Sequence, residues 1–389
     1  MKVKSLILAS LAALTLNAAP EEQMNTRIFS LLKRANEKAP LENVIFSPYS
    51  MQQAIGMLNA GAKGRTAEQV NQVFGFSAES DNWFIKNHQE LSPEKQKVFS
   101  NYNAVLFDRR LELKPEFIQK AGSVYHGKLM MTEFSKPAQV VQILNRIIQA
   151  RTKGMIKNAL SENAVNPDMI MALVNVLHFK DKWLWEFQPK DTSKETFISA
   201  DNKETKVDLM FQKLDCNYFH DDQKKVHGVI LPYKDTRFEM IVMMPKEKDG
   251  KISDLLQALS DGALPGWLKS ANDKNETILF LPKMKLSVAL DLSELLKSAG
   301  MEDAFSISNA DFSGIVNEKV CVDKVLHLVK LDVDESGTEA AAATVIMVEA
   351  KAAPPKITNY FCADRPFCLV LRYKPTEAIL FTGVINRLP

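Results

Sequence analysis

Gly337-Thr338-Glu339-Ala340-Ala341-Ala342-Ala343-Thr344-Val345-Ile346-Met347-Val348-Glu349-Ala350-Lys351 is a run of small and apolar residues that no ordinary surface loop would choose. Taken with period two, one face carries Thr338, Ala340, Ala342, Thr344, Ile346 and Val348. The other carries Glu339, Ala341, Ala343, Val345, Met347 and Glu349, so both acids fall on one side. That alternation belongs to a strand buried on one face and wet on the other. Yet Gly337 precedes the run, Ala352-Ala353-Pro354-Pro355 follow it, and four consecutive alanines favour helix over sheet. The segment is expected to be a loop in one state and a strand in another.

Working outward, Asp334-Glu335-Ser336-Gly337-Thr338-Glu339-Ala340-Ala341-Ala342-Ala343-Thr344 resembles the hinge of a serpin's reactive-centre loop. Asn43-Val44-Ile45-Phe46-Ser47-Pro48-Tyr49-Ser50 resembles the family's N-terminal shutter motif, and Leu173-Val174-Asn175-Val176-Leu177-His178-Phe179 the central strand of its large sheet. Gly300-Met301-Glu302-Asp303-Ala304-Phe305, Ala363-Asp364-Arg365-Pro366-Phe367 and Phe381-Thr382-Gly383-Val384-Ile385 match later landmarks. The resemblance runs in order from near residue 25 to the end. It implies an α+β serpin fold of about nine helices and three β-sheets, with an exposed reactive-centre loop over about 335–356.

The same resemblance assigns roles. Glu335, Gly337, Thr338, Glu339, Ala340, Ala341, Ala342, Ala343 and Thr344 form the hinge. Ser47, Ser50, Asn175 and His327 form a shutter beneath the point where the sheet parts, and Trp183 lies at the top of that opening, the breach. Counting from Gly337 places the reactive bond between Lys351 and Ala352. Lysine there suits a trypsin-like specificity pocket holding a buried carboxylate, while Ala350, Ala352 and Ala353 would suit an elastase-like enzyme. On composition alone His327, between Leu326 and Leu328, is an ordinary core histidine, and Trp183 an ordinary packed aromatic. Two positions depart from the family pattern. Ile147 stands where tryptophan is common, expected as a core volume change, and Leu328 where lysine is usual, beside the shutter histidine and expected to tune sheet opening.

Composition bounds the rest. Lys2 and Lys4, an apolar stretch from Leu6 to Leu16 and small residues up to Ala18 and Ala19 read as a secretory signal peptide over 1–18. A single serpin domain over 19–389, exported after leader removal to an extracellular or periplasmic space, is expected to follow. Losing Lys2 and Lys4 takes 49 basic residues to 47, equal to the acidic count of 47, which argues against a nucleic-acid partner. No other stretch is long and apolar enough to cross a bilayer. Lys86, Lys95 and Lys97 are interrupted by Glu90, Pro93 and Glu94, which argues against strong heparin binding. Cys216, Cys321, Cys362 and Cys368 read as buried free thiols rather than disulfides. Asn275-Glu276-Thr277 is a glycosylation sequon.

Nothing in the chain argues for an enzyme, a metal or a cofactor. Its six histidines form no two-histidine helical spacing with glutamate, and no paired-cysteine zinc pattern exists. Gly56 to Lys63 brushes against a phosphate loop, but Ala62 separates glycine from lysine and no hydroxyl follows. No Gly-x-Ser-x-Gly elbow occurs. There is no repeat and no linker composition. Helices are expected over 22–36, over 50–58 capped by Ser50, and after a capping box of Asp291 and Glu294, with Leu292, Leu295, Leu296 and Ala299 as the apolar stripe and Gly300 as the stop. Strands are expected over 229–232, 238–244, 277–281, 368–373 and 379–384. Helices in the first half and strands in the second make an α+β arrangement. The partner is then expected to be a target serine protease, with a cysteine protease left open, bound covalently by a monomeric suicide-substrate inhibitor; the alternative is a non-inhibitory serpin acting in storage, as a chaperone or as a carrier.

Overall fold

Pro48 opens the helix Pro48–Asn59 because a proline at the first helical position gives up an N–H that would have had no partner there. The cap is Ser47, not Ser50. Its hydroxyl accepts the Ser50 N–H at 3.3 Å, and every residue from Pro48 to Leu58 is buried. The computed structural model describes residues 19–338 and 358–389, except 93, 94, 96, 97, 153, 155, 272 and 273. The expected signal peptide, residues 339–344 of the hinge and the expected reactive bond lie outside these. Nine α-helices occur among the described residues. The first, Pro20–Lys38, buries Met24, Ile28, Leu31 and Leu32 along one stripe.

The expected capping box takes another form. The Asp291 carboxylate accepts from the N–H of Ser293 at 3.0 Å and from its hydroxyl, while Glu294 pairs with Lys297 at 2.8 Å instead of reaching back. Asp291 ends the strand Met284–Asp291, so its backbone is committed to a ladder and only an Asx-type turn is left to it. The helix Ser293–Ser298 still buries Leu295 and Leu296, and Gly300 follows with φ +113°.

Two hydrogen-bonded sheets form among the described residues. The seven-stranded one runs Lys128–Thr132, Phe99–Asp108, Met171–Phe179 and Lys324–Asp334, with Met284–Asp291 on the outer side of Lys324–Asp334. Met171–Phe179 and Lys324–Asp334 are parallel, whereas their outer neighbours Phe99–Asp108 and Met284–Asp291 are antiparallel to them. The nine-stranded sheet joins what was expected as two, because Glu204–Asp221 is 18 residues long. It pairs Ser193–Ile198 at one end, Lys274–Pro282 in the middle and Val226–Pro232 at the other. All five expected strands lie inside longer observed ones, such as Lys274–Pro282 and Ala378–Ile385.

Alternation divides the large sheet's side chains between two cores. Met171, Leu173, Leu177 and Phe179 face the main core, and Ala172, Val174 and Val176 face a second one under the helix Pro137–Arg151. Leu328 belongs to this second core, on the opposite face of its strand from His327. It therefore does not line the shutter. Ile147 is half-buried at the second core's margin, so that departure changes volume at an edge. All four cysteines are free. Cys216 and Cys368 are buried, but Cys321 and Cys362 are only half-buried.

Candidate functional site

Beyond Asp334 the chain turns back on itself. The Asp334 carboxylate accepts the N–H groups of Ser336 at 2.9 Å and Gly337 at 3.2 Å, closing the turn. Gly337 and Thr338 then run antiparallel beside Asp334 and Val333 and pair on their other side with Lys182 and Asp181. The first hinge residues are thus already seated as a two-residue strand in the top of the large sheet. Gly337 has φ +150°, and a Cβ there would lie 2.3 Å from the Asp181 carbonyl oxygen, so only glycine fits.

The seat is built from the breach. The Trp183 backbone N–H donates to the Ser336 carbonyl at 2.9 Å, and the Phe187 N–H to the Glu335 carbonyl at 2.8 Å. The Trp183 indole N–H donates to the Asp334 carbonyl at 3.0 Å, and its ring stacks on Tyr233 with centroids 4.6 Å apart. Thr338 is fully buried, and its hydroxyl shares a hydrogen bond with the Tyr233 hydroxyl at 2.8 Å. Glu335 pairs with Lys283 at 2.9 Å and accepts from Thr192 at 2.8 Å. Burial works against ionisation of Glu335, yet these hydrogen bonds hold its carboxyl below the usual range. Burial lifts the Asp181 carboxyl above it, although Asp181 accepts the N–H groups of Lys182 and Asp235.

About six residues further down, roughly 20 Å along the strand, Ser47, Ser50, Asn175 and His327 come together on the main-core side. His327 and Asn175 are direct partners across the parallel seam. The Ser47 N–H donates to His327 Nε2 at 2.8 Å. Burial pushes the His327 imidazole down to about 3, so its accepting nitrogen stays unprotonated. Ser50 and Asn175 are joined through a third side chain. Both donate to the Asn103 side-chain oxygen, at 2.6 and 3.0 Å. The Asn103 amide in turn donates to Gln53 Oε1 at 2.6 Å, which also accepts from Asn101 at 2.7 Å. Both polar atoms of the buried Gln52 side chain, Asn175 Oδ1 and His327 Nδ1 have no partner among the described residues.

Sequence reasoning missed Asn103, Gln53 and Tyr233. For Asn103 a signal existed: alternation through Phe99–Asp108 puts two asparagines, 101 and 103, on the same face as Phe99, Val105 and Phe107. Nothing local marks Tyr233, which reaches the hinge only through tertiary structure.

This arrangement, a large sheet with a parallel seam, a seated hinge at its top and a polar cluster beneath, defines a class. A family profile described as serpin (serine protease inhibitor) matches residues 22–388. The chain belongs to the serpin family. Glia-derived nexin of Rattus norvegicus is 30% identical over 358 residues, which is 90% of this chain and 88% of that protein. A crystal structure of native protease nexin-1 with heparin superposes with a TM-score of 0.81 at 27% identity, covering 95% of this chain and 98% of the other. A thyroxine-binding globulin complex with thyroxine superposes with a TM-score of 0.83 at 26% identity, covering 94% and 98%.

Proposed function

We propose that this protein is a secreted suicide-substrate inhibitor of serine endopeptidases with trypsin-like specificity. A target protease cleaves between Lys351 and Ala352 and remains acylated on Lys351. The freed hinge strand then inserts into the large sheet between Met171–Phe179 and Lys324–Asp334, carrying the protease with it. The observation that carries this reading is the seated pair Gly337 and Thr338. Insertion needs no new nucleus, because the residues that follow Thr338 need only extend a strand that has already turned into the seam.

The shutter supports the same reading. A strand arriving between His327 and Asn175 brings backbone donors and acceptors to buried polar atoms that have no partner among the described residues. The family description supports inhibition of serine proteases. The trypsin-like preference rests on Lys351 alone. Export rests on the leader-like residues 1–18, and the balanced charge supports a protein partner over nucleic acid.

The test is incubation with trypsin followed by a denaturing gel. An SDS-stable complex, with cleavage after Lys351, is expected. Clean cleavage without a complex would make the chain a non-inhibitory serpin. Resistance to trypsin with trapping of elastase would move the reactive bond to the neighbouring alanines.

A further inference from the structure

A cleft of about 690 Å³ opens where the two sheets meet, a volume within the range of about 300–1,000 Å³ that small-molecule sites occupy. Lys283 is the single residue between Lys274–Pro282 of the nine-stranded sheet and Met284–Asp291 of the seven-stranded one. Its N–H donates to the Asp208 carbonyl at 2.9 Å, which ties the two sheets together at the cleft. Lysines line it from both sides. In the ladder between Ser193–Ile198 and Glu204–Asp221, Lys194 stands opposite Asp208 and Thr196 opposite Lys206. These four share one face, while Phe197, Val207 and Leu209 on the other face are buried. From the seven-stranded sheet comes Lys285, the cross-strand partner of Asp332. With Lys180 and Lys283 the cleft holds five lysines against three aspartates.

All three aspartates are already engaged. Asp208 pairs with Lys194 at 3.0 Å and Asp332 with Lys330 at 3.1 Å, while Asp334 accepts the turn N–H groups of Ser336 and Gly337. Lys283 is held by Glu335. Lys206 donates to the Thr196 hydroxyl at 3.0 Å, and no carboxylate among the described residues lies within ion-pair distance of it or of Lys285. Two exposed lysine charges, one from each sheet, therefore face one cavity without a counter-charge. A cleft lined by one sign of charge concentrates ions of the other sign. Each ammonium is a compact point charge with three donors, which suits phosphate oxygens. The aspartates interrupt the lysines and leave an enclosed set instead of an open stripe, so the fit is to a compact anion and not to a long charged chain.

We propose that this cleft binds a small molecule bearing two or more phosphate groups, with Lys206 and Lys285 as its principal contacts. The site stands apart from the inhibitory reading and does not depend on it. Lys283 brings the occupant close to the hinge, because the ammonium at the cleft wall is the one that holds Glu335, two residues before the seated Gly337.

The experiment is a calorimetric titration of the intact protein with inorganic tripolyphosphate at about 0.15 M salt, where long-range attraction is screened. Saturable binding of one tripolyphosphate per chain is expected. Lys206→Gln and Lys285→Gln, which keep most of each side chain, should each weaken it about tenfold, the loss of one charge-assisted contact. Lys224→Gln, on an exposed turn outside the cleft, should leave it unchanged. Absence of saturable binding overturns the proposal, and so does equal weakening by Lys224→Gln, which would mean general attraction to basic surface. Binding of a sulfated disaccharide at the same lysines, without binding of tripolyphosphate, overturns the assignment to phosphate. Should a cleft variant melt early, acetylation of the unaltered protein read by mass spectrometry gives a second measurement. Tripolyphosphate should then protect Lys206 and Lys285 but not Lys224, and equal labelling with and without it overturns the site. No protease enters either measurement, so the outcome leaves the inhibitory reading to its own test.

Discussion

At His327 a proton would take away the nitrogen that accepts the Ser47 N–H. The folded chain holds the imidazole at about 3 through burial, while the unfolded chain holds it near the ordinary value of about 6.5. As pH falls below that value the unfolded state takes up a proton that the folded state refuses. Stability that is fully present above about pH 6.5 is therefore lost progressively down to about pH 3. By pH 5 the loss from this residue is about 2 kcal/mol. His227, pushed down to about 4 by burial and then by Arg365 and Lys246, acts in the same direction. His327→Gln should show a shallower fall in denaturant midpoint between pH 7.5 and pH 5 than the unaltered protein. Parallel falls would remove His327 from the account. At the proposed reactive bond, Lys351→Ala should shift capture from trypsin-like to elastase-like proteases. Unaltered trypsin inhibition would show that the reactive bond lies elsewhere.

At the scale of elements the hinge strand is the informative piece. Thr338 is fully buried against Tyr233, so Thr338→Arg forces a bulky guanidinium into a buried site that has no room for it. Trypsin should cleave this variant and escape, raising the stoichiometry of inhibition severalfold, and a stoichiometry like that of the unaltered protein would refute the insertion step. The strands Phe238–Pro245 and Phe367–Tyr373 were legible as apolar runs, whereas of the run expected to alternate after Gly337 only Thr338 lies among the described residues, and it is in a strand. The long strand Glu204–Asp221 was not legible. Its burial changes face along its length as its neighbours change from Ser193–Ile198 to Lys274–Pro282 to Val226–Pro232, so no single alternation runs through it. The cap of Pro48–Asn59 was placed three residues late because Ser47 and Ser50 are equally good caps in sequence, and Pro48 is what decides between them. In the shutter, the four residues carried over from the family were brought together. The acceptor that joins two of them, Asn103, lies on a strand about 70 residues from Asn175 in sequence and was visible only as a polar interruption in an apolar face.

For the whole molecule, the proposed insertion into the parallel seam implies that the described arrangement is the less stable of two. An inserted strand would run antiparallel to both neighbours, as Gly337 and Thr338 already do. Each added backbone hydrogen bond contributes about 1 kcal/mol, so ten residues contribute roughly 10 kcal/mol. For a chain of this size that corresponds to a rise in melting temperature of roughly 13 °C. Protein cleaved at Lys351 and purified should show such a rise by circular dichroism, and equal melting of cleaved and intact protein would rule out insertion. On the proposed mechanism, what holds the intact molecule back is the attachment of residues 339–357 at both ends. Residues 339–357 leave from Thr338 in one sheet and arrive at Asn359–Cys362 in the other, where Asn359 pairs with Thr277. One peptide bond is thus a record that can be written once and never erased. A molecule working as proposed has no turnover, and its capacity is set by how many copies are supplied. Any cleavage in the loop that captures nothing spends a copy as surely as a successful one.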